Sequence, residues 1–269
     1  MMETPDKRET VERPFQPVAE LLASLSFLTR MPIPFARTAP PVPLAQAMRQ
    51  FGVAGGMIGA VVGLVLKSLG LLHLPVVMTA SFAVAFGLFF TGALHDDGLA
   101  DTADGLAGGK TREQRLEIMR DSRIGTYGAA ALCLSLVCRV GAYIGLLNFP
   151  YGQAILILVA CGAFSRAMVV DMMWATRPAR ADGLAVSSGR PTRNTALFAI
   201  ISAAALSLWA GMPIAPMAGV EAIAVALVVT AVMRWLCTRM IGGQTGDICG
   251  ATQVLCELGM LAAYLSTIH

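Results

Sequence analysis

The sequence predicts an all-α integral membrane protein, a polytopic bundle of about seven transmembrane helices with its functional loops on one side. Three observations lead there. The 269-residue chain is 56% hydrophobic, with a mean hydropathy of +0.67. Only 14% of its residues are charged, against about 25% in soluble domains. Its apolar stretches approach the roughly 20 residues needed to cross a bilayer, and its basic residues avoid every second connection between them.

In chain order, residues 1–17 mix Glu, Asp, Lys and Arg and read as a flexible extension, with no apolar core placed for a cleavable signal. Residues 18–269 form a single membrane domain. Val18 to Arg30 reads as an interfacial helix or a short insertion, and Pro32 to Pro43 as a stiff linker. Seven spans follow: Phe51 to Leu72, Pro75 to Leu94, Thr126 to Leu147, Gln153 to Ala175, Thr195 to Ala210, Ala215 to Met233 and Ala251 to Ile268. Gly52, Gly55, Gly56, Gly59 and Gly63 in the first span permit close helix contact.

Seventeen of the twenty Lys and Arg residues lie outside these spans or at their ends. Six fall in residues 1–50, five between Asp96 and Gly125, four between Thr176 and Asn194, and two are Arg234 and Arg239. The alternate connections, Leu72 to Pro75, Asn148 to Gly152 and Gly211 to Ile214, hold none. The positive-inside rule then puts the N-terminus and the three long loops in the cytoplasm.

The first long loop opens with His95-Asp-Asp-Gly-Leu-Ala-Asp-Thr-Ala-Asp104, four carboxylates in ten residues. On a helix, Asp97, Asp101 and Asp104 stand at i, i+4 and i+7, within roughly 60° of one another. Neighbours ~6 Å apart repel by on the order of 3 kcal/mol per ionised pair at an effective dielectric of about 20. No basic residue lies among them. A divalent cation offsets that repulsion, and hard oxygen ligands favour Mg²⁺, Mn²⁺ or Ca²⁺. The simpler alternative is a polar helix end that only solvates the loop. Asp96 points about 100° from Asp97 and reads as a supporting or solvated residue. His95 falls on the far side if the helix is continuous, as an interfacial or a catalytic histidine.

Beyond the acids the loop carries Arg112, Arg115, Arg120 and Arg123 among glycines, a combination suited to nucleotide or pyrophosphate oxygens. A second element, Gly242-Gly-Gln-Thr-Gly-Asp247, lies on the same side before the last span. There Asp247 either completes a metal site or caps the helix. Arg177, Arg180 and Asp182 in the third loop offer another phosphate clamp or serve as topology signals alone. Within spans, Lys67 is expected to snorkel, whereas Arg139 and Arg166 should face the bundle interior. Arg166 reads equally as a substrate contact or as a partner of Asp171. The six cysteines form no Cys-x-x-Cys pair, so neither zinc nor a disulfide framework is indicated.

These residues resemble a known family. The run His95 to Gly105, then Leu116-Glu-Ile-Met-Arg-Asp-Ser-Arg-Ile-Gly-Thr126, is similar to cobalamin synthase, as are Gly242 to Asp247 with Gly250 and Glu257. Phe27-Leu-Thr-Arg-Met-Pro-Ile-Pro34 and Ser165-Arg166 fit the same pattern, while Asp96 stands where the family is usually apolar. The resemblance implies joining of adenosylcobinamide-GDP to α-ribazole or its 5′-phosphate, with release of GMP and a requirement for Mg²⁺. It implies that Asp97, Asp101 and Asp104, joined by Asp121 or Asp247, hold the metal. Arg120, Arg123 and Arg166, with Asp247, are the expected substrate contacts. Expected partners are the two substrates, the lipid bilayer, and a second copy or other corrinoid-pathway enzymes, but no nucleic acid. A CDP-alcohol phosphotransferase is the nearest alternative, although the Ala-Arg it carries after Asp-Gly-x-x does not follow Asp97-Gly98 here. A divalent-cation transporter is the other, but its acids should lie near the bilayer midplane.

Overall fold

A computed structural model of the protein describes residues 14–32, 42–215 and 217–267. Most of the expected tail and proline linker, and the end of the last expected span, lie outside those residues. The described chain is helical, with an isolated parallel bridge between Pro178 and Gln244. Helix α1 (Pro17–Leu28) precedes α2 (Leu44–Ala47), which runs through a 3₁₀ turn (Met48–Gln50) into α3 (Phe51–Gly70). Then come α4 (Val76–Thr91), α5 (Leu94–Gly108), α6 (Arg112–Ile118), α7 (Thr126–Leu147) and α8 (Tyr151–Ala175). The last four are α9 (Leu184–Ser187), α10 (Arg193–Gly211), α11 (Ala218–Ile241) and α12 (Gly246–Ser266).

Among the described residues, six stretches are long and apolar enough to cross a membrane: Leu44–Gly70, α7, α8, α10, α11 and α12. The second expected span, Pro75 to Leu94, is the one missing from these six. It ends at Thr91 rather than Leu94, and α5 departs from α4 at 91°. Gly92 (φ 68°) and Ala93 (φ 53°) both take left-handed conformations, which closes α4 and redirects the chain. The Ala93 N–H donates back to Leu88 O at 2.9 Å, and Asp97 N–H to Ala93 O starts the next helix. Together α4 and α5 have the length and hydropathy of a span, bent at this point, and α5 packs along one end of the bundle.

Helix α8 is central, packed between α3, α10 and α12. It is apolar on all sides, as a helix surrounded by protein should be. Glycines set the α3–α8 approach: a Cβ on Gly55 or Gly59 would collide with the carbonyls of Gly162 or Leu158. Helices α7 and α11 are peripheral and expose Leu134, Val137, Leu227 and Val228, a surface that suits lipid. The Val18–Arg30 segment is a docked helix, with Leu25 and Leu28 buried, Ser24 Oγ donating to Ala47 O at 2.8 Å, and Glu20 3.7 Å from Arg49.

The two ends differ as the charge pattern requires. At one end, Lys67 Nζ donates to Leu147 O at 3.0 Å and to Phe149 O at 2.8 Å, the reach expected of a snorkelling lysine. The arginine-bearing loops meet at the other end. Ala179 N–H donates to Gln244 O at 2.8 Å and Gln244 N–H to Arg177 O at 2.9 Å, tying the third loop to the glycine-rich element. Two boundaries differ from expectation. Helix α11 runs to Ile241, so Arg234 and Arg239 are helical, and α12 starts at Gly246 rather than Ala251. Polar residues there continue the helices because neighbours satisfy them. Arg112 Nε donates to Ile241 O at 2.9 Å, and Arg115 Nη1 to Met240 O at 3.2 Å. Those two arginines thus hold the α11 C-terminus, where positive charge is favourable, and are not phosphate clamps.

Candidate functional site

The α5 helix lies across the N-terminal ends of α12 and α7, and glycine sets both crossings. A Cβ on Gly98 would stand 2.8 Å from Asp247 O, and one on Gly250 3.2 Å from His95 O. At the other end, both Asp104 carboxylate oxygens accept backbone N–H groups, from Gly125 at 2.7 Å and Gly128 at 2.9 Å. A Cβ on Gly128 would collide with that carboxylate. An acid on the N-terminal dipole of α7 is a stabilising arrangement. Helix α5 is thus pinned at both ends, with Asp97, Asp101 and Asp104 along it.

The acids divide into two neighbourhoods. Asp97 and Asp247 line one pocket, with Leu94, His95 and Gly250 between them. Asp101 is half-buried, and its pKa is pushed up to about 7 by loss of solvation and then by the charges of Asp97, Asp247 and Asp104, with Arg180 opposing them. Asp104 and Asp121 border a second, more open depression with Arg123 and Tyr127. Asp121 is gripped by Arg123 at 2.6 Å, which holds its carboxyl down at about 2. It therefore stands with Asp104 rather than with Asp97 and Asp101.

Thr245 caps α12: its Oγ1 accepts the Ile248 N–H at 3.3 Å. Asp247 is free of that duty. Its Oδ2 accepts from Thr245 Oγ1 at 3.1 Å and lies 3.5 Å from Arg180 Nη2. Arg180 in turn reaches towards Asp182 at 4.0 Å, and its Nη1 is buried with no hydrogen-bond partner among the described residues. Sequence reasoning left Arg180 as either a phosphate clamp or a topology signal; only the tertiary arrangement distinguishes it from other loop arginines. Arg120 pairs with Asp182 at 2.5 Å across two loops, both side chains exposed. Exposed pairs of this kind are worth about 0–1 kcal/mol, so Arg120 is held loosely.

Among the described residues no three acidic, histidine or cysteine side chains converge into a ready-made metal cage. The donor chemistry still fits Mg²⁺, which typically takes one or two carboxylates and completes its shell with water and substrate phosphate. Asp97, Asp101 and Asp247 are the carboxylates whose mutual repulsion such an ion would relieve.

A second polar cluster lies deeper. Arg139 and Arg166 do face the bundle interior, but with different partners from those expected. Arg139 Nη1 lies 3.0 Å from Asp96 Oδ1 and its Nε 3.4 Å from Glu257 Oε1. Arg166 Nη1 lies 3.8 Å from Glu257 Oε2, whereas Asp171 pairs with Arg234 on α11. Gln253 Nε2 bridges Glu257 at 2.7 Å and Ser165 at 3.0 Å. Asp96 is therefore a buried ion-pair partner, not a solvated residue. The group borders a cavity of ≈ 50 Å³, room for a few waters. His95 is buried beside it, its pKa lowered to about 3 by burial and then by Arg166 and Arg139, so it stays neutral.

Comparison with known proteins covers the same residues. The cobalamin-5-phosphate synthase family matches residues 20–265. The chain is 43% identical over 258 residues to the adenosylcobinamide-GDP ribazoletransferase of Azorhizobium caulinodans, covering 92% of this chain and 96% of the relative. It is 41% identical over 245 residues to the enzyme of that name from Bradyrhizobium diazoefficiens, with 91% and 92% covered. The like-named Rhizobium etli protein is 39% identical over 254 residues, with 91% and 95% covered. No solved structure matches the chain. Because the match runs from the first packed helix to the last, and takes in the α5 acids, Arg180 and Asp247, the chain belongs to the cobalamin-5-phosphate synthase family.

Proposed function

We propose that the protein is an adenosylcobinamide-GDP ribazoletransferase. It joins adenosylcobinamide-GDP to α-ribazole, or its 5′-phosphate, with release of GMP. The observation that carries this reading is Asp247 beside Arg180, in the pocket that Asp97 also lines, in a chain whose relatives bear that activity in their names. The site faces the cytoplasm from the inner membrane, a reading supported by the arginine-bearing loops gathered at that end.

In the reaction, a ribazole hydroxyl oxygen bonds to the corrinoid-side phosphorus of the pyrophosphate. The bond from that phosphorus to the bridging oxygen breaks, and its electron pair leaves on GMP. The hydroxyl proton passes to one of the site's carboxylates. Arg180, whose Nη1 is buried and unpartnered, is suited to a phosphate oxygen, and Arg120 and Arg123 can exchange their exposed carboxylate partners for one. Asp97, Asp101 and Asp247 are the residues that would hold Mg²⁺. Bound there, Mg²⁺ supplies charge neutralisation for the pyrophosphate.

The test is GMP release by the purified protein from adenosylcobinamide-GDP, with and without α-ribazole and Mg²⁺. Release that needs all three supports the reading. Release from a CDP-alcohol, or cation flux into vesicles without nucleotide turnover, overturns it.

A further inference from the structure

We infer that the pocket beside Asp97 and Asp247 receives the aromatic base of the acceptor, so that ribazole enters base-first and its ribose emerges among the carboxylates. This rests on the ribazoletransferase reading and adds where one of the two substrates sits. The pocket measures ≈ 150 Å³. Its walls include Phe27, Phe51, Val169, Met173 and Ala185, contributed by α1, α3, α8 and α9. The Phe27 and Phe51 rings stack at 5.8 Å and 18°, presenting flat surface. A cavity of about that volume lined by Leu, Ile and Phe takes up a benzene ring.

The chemistry of the walls selects among the parts of the two substrates. No lysine or arginine lines the pocket, so a phosphate belongs outside it, where Arg180 stands beside Asp247, and not among its walls. Guanine carries donors and acceptors along most of its edges, and those turned towards Phe27, Phe51, Val169 and Met173 would be left unpaired, a loss that Asp97, Asp247 and Ser188 offset only in part. The corrinoid ring is too large for the space. A benzimidazole is planar, uncharged and largely apolar, and it loses little on entering. The acids at the rim then stand where the attached ribose hydroxyls emerge, on the same helix end that carries Asp101. One placement thus satisfies both the apolar walls and the position of the acids.

Ala185→Phe fills the pocket from α9 and leaves every residue of α5 and α12 unchanged. Isothermal titration of α-ribazole into the full chain in detergent reads the pocket without turnover, and affinity should fall roughly tenfold or more. In steady-state GMP release, KM for α-ribazole should rise by a similar factor while KM for adenosylcobinamide-GDP stays within about twofold. Met173→Ala enlarges the same space and covers the case in which Ala185→Phe fails to fold. It should shift preference from the unsubstituted benzimidazole riboside towards α-ribazole or bulkier bases. Unchanged α-ribazole affinity in both variants overturns the proposal and leaves the pocket to a lipid chain. A rise confined to KM for adenosylcobinamide-GDP overturns it in favour of guanine. Wild-type protein that binds α-ribazole in this pocket yet releases no GMP would refute the enzymatic reading while leaving the site in place.

Discussion

Arg180 Nη2 stands 3.5 Å from Asp247 Oδ2, while the capping of α12 falls to Thr245. This separates two roles that a glycine-rich turn followed by an acid leaves confounded. Asp247→Asn should therefore keep the helix intact, shifting the unfolding midpoint little, yet lower GMP release roughly 100-fold, in line with losses on disturbing a metal site and its supports. Partial recovery at raised Mg²⁺ is the expected signature. Thr245→Ala should do the reverse, costing about 1 kcal/mol of stability with turnover within a few-fold. Near-normal turnover of Asp247→Asn at limiting Mg²⁺ would reduce the motif to architecture.

Asp104 differs from its two helical neighbours because both of its oxygens already serve α7. Asp104→Asn keeps one acceptor but loses the charge and one hydrogen bond, so thermal unfolding should come earlier by about 1–2 kcal/mol. Asp97→Asn should leave the midpoint unchanged and abolish most turnover. If Asp104→Asn instead unfolds like wild type and is inactive, Asp104 belongs to the chemistry rather than to the α5–α7 joint.

The interior network is charge-balanced, with Arg139 and Arg166 facing Asp96 and Glu257. Removing Glu257 leaves two guanidiniums in a bundle core with Asp96 as their one remaining carboxylate, and breaking a buried pair of this kind costs about 3–5 kcal/mol. Glu257→Ala should therefore lower the unfolding midpoint in detergent sharply, and Glu257→Gln less so. Adding Arg166→Met to Glu257→Ala should recover part of the loss, because one of the stranded charges is gone. A midpoint that stays put in Glu257→Ala would mean that water, not Glu257, neutralises these arginines.

What could be read without the structure follows the range of the interactions involved. The spacing of Asp97, Asp101 and Asp104 is local, and a helix does carry them. The basic-residue pattern likewise sorts the loops by end, because bilayer crossing is a property of each segment. The bend is only half legible. Gly92 is a recognisable stop, but Ala93 in a left-handed conformation is stabilised by packing, with Arg30 N–H donating to Phe90 O at 2.9 Å. The partners of Asp104 lie 21 and 24 residues away, and those of Arg139 on α5 and α12 lie still further. No periodicity reports such pairs. Arg180 shows the limit clearly: its charge is visible in the sequence, but its buried, unpartnered Nη1 is a tertiary fact.

Sidedness rests on geometry that labelling can test. Lys110 is exposed at the end that carries α5 and the arginine-bearing loops, and Asn148 is exposed at the end where Lys67 reaches for Leu147 and Phe149. Cys133 and Cys138 are exposed natively and should first be replaced by serine. In intact spheroplasts, an impermeant thiol reagent should then label Asn148→Cys and spare Lys110→Cys, and permeabilisation should expose both. The positive-inside rule weighs short loops and residues near span ends most heavily. Lys110, Arg112, Arg115, Arg120 and Arg123 all lie in one such loop, so their retention in the cytoplasm is the expected outcome. Labelling of Lys110→Cys in sealed spheroplasts would place the acid cluster outside the cell, beyond a cytoplasmic supply of nucleotide-activated corrinoid, and so would count against the topology and the proposed reaction together.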